Sequence, residues 1–347
     1  MNENIDKKLE KLEEEVRALK VILNNLDLRN KKILENIDSK VDVFIEHQQI
    51  MFWENYKERG ESISEAKKRF FLNLELKDEF MEIKQKGNLI LLKKLIDVCD
   101  KNELVYWLDF GSLLGAVRHK GPIPWDDDID VCMPRSDYEK FLEIIEKDDN
   151  FMITNWYHVP YLFRITKLVY KKRPNIWFLD IFPMEESTLN ECESLNIFKQ
   201  QRDMFKKTLS EYQNKVISYD CFLNDKESKA LEDISNDCIK KAKEEFLKKN
   251  SEVSCYVTNI DGPQDEVKKR IGYCIKTKDV FPLKKIEFAK MQVNVMNKYK
   301  NHLTCMYGDY MTLPTDIISH IHIKNKPSTE QMEEMEKFLN QNLDYDG

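Results

Sequence analysis

Apolar residues in the first 46 positions recur at alternating spacings of four and three. Ile5, Leu12, Leu19, Leu26, Ile33 and Lys40 occupy one position of a seven-residue repeat; Leu9, Val16, Leu23, Asn30, Ile37 and Phe44 occupy the other. Ten of these twelve are apolar, charges fill the positions between, and no Gly or Pro occurs before Gly60. Such a seam predicts a coiled coil over residues 1–46 and self-association of the chain into a homo-oligomer, two strands being favoured over three. Asn30 sits at a core position, where a buried amide fixes register at some cost in stability. The competing reading is a single amphipathic helix packed on its own domain.

Residues 47–75 read as a transition: Met51, Phe52, Trp53 and Tyr56 cluster, Gly60 breaks the pattern, and Ser62 or Ser64 can cap a following helix. From Leu76 to Lys101 the helical spacing returns, with Phe80, Ile83, Leu91, Leu92, Leu95, Ile96 and Cys99 on one face. Val105–Phe110 reads as a short buried strand, Gly111-Ser112 as a break and Leu113–Arg118 as a helical turn. Asp137–Lys147 is a helix. Val159–Tyr170 and Ile176–Met184 are strand-like, the second with one carboxylate, Asp180, inside an apolar run. Glu185 to about Asn250 is polar, lacks Gly and Pro, and predicts two or three helices. Ser254–Ile260 is a short strand that ends in the turn Asp261-Gly262-Pro263, and an acidic helix follows Pro327. The expected domains are a coiled coil (1–46), a helical transition (47–75), a catalytic domain (76–330, with its helical elaboration at about 185–250) and a tail (331–347).

Composition narrows the class. The net charge of −7 and pI near 5.6 argue against a nucleic-acid surface. Eight scattered cysteines without a C-x-x-C pair read as reduced thiols of a cytoplasmic protein. No run approaches about 18 apolar residues, so no membrane span is expected, and the acidic N-terminus does not read as a signal peptide.

Chemistry concentrates between Tyr106 and Tyr138, which hold three of the nine glycines and a cluster of four aspartates. A strand, Gly111-Ser112 and a helix start would aim free N–H groups and a positive dipole end at an anion. Arg118, His119 and Lys120 add positive charge. In Asp126-Asp127-Asp128-Ile129-Asp130-Val131, alternation puts Asp128 and Asp130 on one face of a strand, a hard-cation site suited to Mg²⁺ or, as an alternative, Mn²⁺. The plain alternative is an acidic solvated loop. Asp180 requires a metal or a basic partner, because a lone buried carboxylate costs several kcal/mol. His320 and His322 flank Ile321, without a Cys or acidic partner at ligand spacing, and read as a surface strand or loop rather than a zinc site.

Gly-Ser followed by an Asp-apolar-Asp strand resembles the nucleotidyltransferase fold. The longer string L-L-G-A-V-R-H-K-G-P-I-P-W-D-D-D-I-D, Leu113–Asp130, resembles the LicD-type phosphocholine transferases, relatives of the fukutin-related ribitol-phosphate transferases, over about Leu89–Asp316. The resemblance implies an α+β fold: a mixed sheet with flanking helices and a helical insertion, here behind the N-terminal coiled coil. It implies a phospho-alcohol moved from a CDP-activated donor, phosphocholine foremost, to a sugar hydroxyl of a surface-glycan acceptor, with release of CMP. On that reading Asp126, Asp128 and Asp130 hold the metal, and Asp180 is a further ligand or the base. Gly111, Ser112, Arg118, His119, Lys120, Arg164 and Lys167 face the donor's phosphates, and Trp125 is one of the aromatic residues that would face a quaternary ammonium. The family usually shows a Gly and a Pro where this chain has F-A-K-M-Q-V-N-V-M-N-K-Y, Phe288–Tyr299, so acceptor selection is expected to differ there. An NTP-dependent nucleotidyltransferase and a non-catalytic coiled-coil scaffold are the alternatives.

Overall fold

The computed structural model describes residues 2–75, 78–158, 163–213, 225–247, 251–262, 273–313 and 327–342. Two compact units divide the chain, residues 1–69 and 70–347.

The first unit is dominated by α1 (Asn2–Tyr56), which runs ten residues past the expected end at 46 because nothing breaks it before Gly60, at φ +88°. Leu26, Ile33, Ile37 and Phe44 of the seam are 48–62% exposed. α2 (Ile63–Leu72) starts with a capping box: the Glu65 N–H donates to Ser62 Oγ at 3.3 Å, and the Ser62 N–H donates to Glu65 Oε2 at 2.9 Å.

In the second unit, α3 (Glu79–Lys101) is capped by Asp78, which accepts from the Met81 N–H at 3.2 Å. Its stripe of Phe80, Ile83, Leu91, Leu92, Leu95 and Cys99 is buried. The unit continues with β1 (Trp107–Leu108), α4 (Phe110–Arg118), β2 (Asp130–Pro134), α5 (Arg135–Ile145), β3 (Phe151–His158), β4 (Phe163–Tyr170) and β5 (Phe178–Ser187). α6 (Glu191–Gln213) and α7 (Asp225–Phe246) supply the two described helices of the expected elaboration. Then come β6 (Cys255–Thr258), β7 (Cys274–Lys276), α8 (Thr277–Val280), β8 (Lys284–Phe288), β9 (Met291–Val295), α9 (Tyr299–Tyr307) and α10 (Thr329–Asn342).

The sheet is mixed, in the order β1-β2-β5-β4-β3, and β2·β5 is its parallel pair. β4 pairs with the first half of β5 and β6 with the second, and β7 adds to β6. An apolar β5 is what a strand with neighbours along its whole length requires. β8 and β9 form a separate hairpin.

Several boundaries differ from expectation. The strand before Gly111 is only two residues long, and α4 begins at Phe110, so Gly111 and Ser112 lie in its first turn rather than in a loop. Asp109, as N-cap, sets that start. β2 begins at Asp130, which leaves Asp128 just outside the strand. β3, β7, β8 and β9 have no counterpart in the expected strands. In the Phe288–Tyr299 region the hairpin turns at Ala289 and Lys290, with φ of 47° and 64°: two non-glycine residues in the left-handed region that a tight two-residue hairpin turn demands. The tail is no appendage. Met335 and Leu339 of α10 are buried in the main core, and Phe338 stacks on Trp177 with ring centroids 5.6 Å apart. His320 and His322 lie outside the described residues.

Candidate active site

Register brings the acids together. Parallel pairing sets Asp130 beside Asp180, and antiparallel pairing sets Lys167 of β4 on the other flank of Asp180. Carboxylate oxygens of Asp128, Asp130 and Asp180 lie within 4.8 Å of one another, as do those of Asp126, Asp127 and Asp128. Asp126 and Asp130 are each only 8% exposed. Burial, then the negative charge of Asp128 and its neighbours, pushes both carboxyls well above the usual carboxylate range. Two such sets of hard oxygens that share Asp128 suit a divalent cation such as Mg²⁺.

Asp180 has the basic partner its apolar surroundings called for: Lys167 Nζ lies 2.5 Å from Oδ1, and the ammonium also sits 3.7 Å from the Phe178 ring centroid and 4.4 Å from that of Trp156. Lys84 of α3 is buried nearby. Its Nζ donates to the Ile176 carbonyl and lies 3.7 Å from the Phe178 ring centroid. Burial lowers its pKa to about 7, although Asp127 and Asp128 pull the other way. Gln85 and Asn88, on the same helix, hold the acid loop by its backbone. Gln85 Nε2 donates to the carbonyls of Ile123 and Asp126 at 2.9 Å, and Asn88 Nδ2 to that of Asp127 at 2.8 Å. The sequence reading passed over these three. Their signal was the position of Lys84, four residues after Phe80 and seven before Leu91, on the buried stripe of a helix.

At the start of α4, Ser112 Oγ accepts the Asp130 N–H at 2.8 Å, and the Asp109 N–H donates to the Asp130 carbonyl at 3.3 Å. Gly111 leaves room for the acid loop: a Cβ there would come within 2.6 Å of Asp126 Oδ2 and would push that carboxylate aside. Asp109 is fully buried and surrounded by donors. His302 Nε2 lies 2.7 Å from Oδ1, the Phe110 N–H donates to the same oxygen at 2.8 Å, and Tyr273 Oη donates to Oδ2 at 3.1 Å. Burial alone would raise its pKa, but His302 and the other donors hold it below the usual range. The sequence reading had no signal for Asp109, whose partners lie far along the chain.

The positive candidates separate. Lys167 stands in the acid cluster. Arg164 is buried and paired with Asp261 at 2.5 Å. Arg118 is buried at the far end of α4, 3.7 Å from the Phe71 ring centroid, and burial lowers its pKa to about 10. His119 Nδ1 contacts the Phe71 carbonyl at 2.7 Å; burial, then Arg118, lowers its pKa to about 4, so the ring is neutral. Trp125 is buried edge-on to that ring, and Lys120 is exposed and paired with Glu287 at 3.0 Å. Trp107 and Trp177 are core residues, whereas Trp156 is half-buried beside Lys167.

Among the described residues no helix is long and apolar enough to cross a membrane. Residues 103–219 match the family model described as LicD/FKTN/FKRP, nucleotidyltransferase domain. The chain is 28% identical over 243 residues to the lipopolysaccharide cholinephosphotransferase LicD of Haemophilus influenzae, a match that covers 63% of this chain and 86% of that protein. An uncharacterised protein of Rickettsia typhi is 44% identical over 55 residues, 16% of this chain and 18% of its own. One of Rickettsia prowazekii is 37% identical over 71 residues, 20% and 27% respectively. The segment that contains the acid cluster and the start of α4 is thus similar to the LicD-type family.

Proposed function

We propose that the chain transfers a phospho-alcohol, phosphocholine first among the candidates, from a CDP-linked donor to a sugar hydroxyl of a surface-glycan precursor, with CMP as leaving group. The observation that carries this reading is the convergence of Asp128, Asp130 and Asp180, with Asp126 alongside, behind the Gly111-Ser112 turn, in a chain similar to a cholinephosphotransferase.

Asp126, Asp128, Asp130 and Asp180 would hold a divalent cation, Mg²⁺ by preference. When bound, it neutralises charge on a diphosphate during in-line displacement. The chain's own residues do the rest. Gly111 and Ser112, in the first turn of α4, offer N–H groups at the positive end of a helix. Ser112 holds Asp130 in place through its hydroxyl. Lys167 is the ammonium best placed to meet phosphate oxygens, because it is already among the acids. The acceptor hydroxyl oxygen forms a bond to the transferred phosphorus as the bond from that phosphorus to the bridging oxygen of CMP breaks, and the hydroxyl proton leaves to the CMP phosphate or to water. A loose phosphoryl transition state depends more on positioning and charge than on a strong base, which suits Asp180 as a ligand.

A thermal-shift panel with Mg²⁺ tests the reading. A ligand at 100 times its Kd adds about 2.7 kcal/mol of stability. Stabilisation by CDP-choline or another CDP-alcohol, but not by ATP, GTP or UDP-sugars, is the expected result. Preference for a nucleoside triphosphate would replace this reading with nucleotidyl transfer.

A further inference from the structure

The first residue of α4 is held in a costly conformation. Phe110 has φ +47°, the left-handed region, without being glycine. A bulky residue there costs about 1–3 kcal/mol and stays only where its surroundings over-determine it. Here they do. The Phe110 ring lies edge-on to Phe182 and to Tyr273, with centroids 5.0 and 6.2 Å apart, and its N–H is tied to Asp109 at 2.8 Å. Asp109 in turn is clamped from two distant elements: by His302 on α9 and by Tyr273 at the entry to β7. Beyond the strained residue lie the Gly111 that makes room for Asp126 and the Ser112 that accepts the Asp130 N–H.

We infer that His302, assisted by Tyr273, is a positioning residue of the acid centre: by clamping Asp109 it holds the strained start of α4 that sets Asp130 and Asp126 for a cation. His302 touches none of the aspartates in that centre. It acts through Asp109 and the start of α4, one step further out than groups that touch a metal ligand; loss of those costs about 10–100-fold in metal affinity, and the low end of that range is expected here. The inference rests on the metal-binding reading above.

The test is Mn²⁺ affinity of the purified full-length protein, measured by electron paramagnetic resonance of free Mn²⁺, alongside the melting temperature without metal. His302→Leu removes the donor and is expected to weaken Mn²⁺ binding by about tenfold. His302→Gln keeps a donor and is expected to restore binding to within about threefold of wild type. Loss of melting temperature in His302→Leu with unchanged Mn²⁺ affinity would mean that His302 only holds the fold, and would overturn the inference. If His302→Leu does not fold, Tyr273→Phe decides: weakened binding supports the clamp, and wild-type affinity in the folded variant overturns it. Absence of Mn²⁺ binding in the wild type would show instead that the metal reading itself is wrong, and this inference would go with it.

Discussion

Asp109 and the acid loop 126–130 are both buried, and they lie in opposite electrostatic states. Asp109 has donors on both oxygens and a pKa held low. Asp126 and Asp130 face other carboxylates, and their pKa values are pushed up. Burial is common to both, so it does not tell a structural acid from a ligand-seeking one. Saturation does: a carboxylate whose partners are all supplied by the chain is part of the frame, and one surrounded by its own kind is discharged by a proton or, on the reading proposed above, by a cation from outside.

The strongest way to break that distinction is to neutralise one acid from each group. Asp130→Asn is expected to lower turnover by about 10²–10³-fold or more, the scale on which loss of a transition-state electrostatic contact is felt. It is also expected to melt at or above the wild type in EDTA, since it removes a buried repulsion; Asp128→Asn should behave alike. Asp109→Ala should do the reverse to the fold. Removing one partner of a buried pair leaves the other uncompensated, so a loss of about 3–5 kcal/mol is expected by denaturant titration. If Asp130→Asn retains turnover, or destabilises the metal-free protein as Asp109→Ala does, the acid loop belongs to the frame as well.

How much of this was legible in the chain follows the same line. The acid loop announced itself, because local spacing and an upstream Gly-Ser carry its meaning. Asp180 was found by its misfit with an apolar run, and the partner it required is Lys167, thirteen residues away across a hairpin register. Asp109 stayed hidden because its donors His302 and Tyr273 are 193 and 164 residues distant. The start of α4 was misplaced for the same reason: it depends on that carboxylate as cap and on a Phe at positive φ, which no local propensity favours. Lys84 and Asn88 were readable as polar residues on a buried helical stripe, yet what Asn88 and its neighbour Gln85 hold is a loop about 40 residues on, and the Lys84 acceptor is 92 residues away. The mixed sheet was expected from its strands; β7, three residues long, was too short to carry a pattern.

The saturated site can be sharpened by pH. Burial alone would lower the pKa of His302, but Asp109 raises it above the usual imidazole value. A raised folded-state pKa means stability that is fully present below about pH 6.5 and is lost as pH rises through the folded value. Asp109, with its pKa lowered, contributes above about pH 3.9 and loses that contribution only as pH falls through its folded value. The melting difference between wild type and His302→Gln, which keeps a donor but not the charge, should therefore be largest near about pH 5–6 and shrink towards about pH 9. A difference of about 1–2 kcal/mol at its maximum is expected for a charged hydrogen bond. A flat difference across that range would mean that the ring is neutral throughout.

The criterion extends from charge to apolar surface, and there the effect on catalysis should be smallest. On α1, Ile33, Ile37 and Phe44 are at least half exposed, and Leu26 nearly so; they are unsatisfied in the hydrophobic sense, as Asp130 is in the electrostatic one. We propose that a second copy of the chain covers them in a parallel, in-register coiled coil. Asn30 would meet itself, which a staggered register would forbid at the cost of a buried amide. Deletion of residues 1–46 removes the seam and leaves the acid centre whole. The expected outcome is a fall in solution mass to that of one chain by light scattering, with kcat within about threefold, roughly 0.6 kcal/mol of barrier. A full-length protein that scatters as a monomer would show that the exposed seam needs no partner, and the analogy between the two kinds of unsatisfied group would fail at α1.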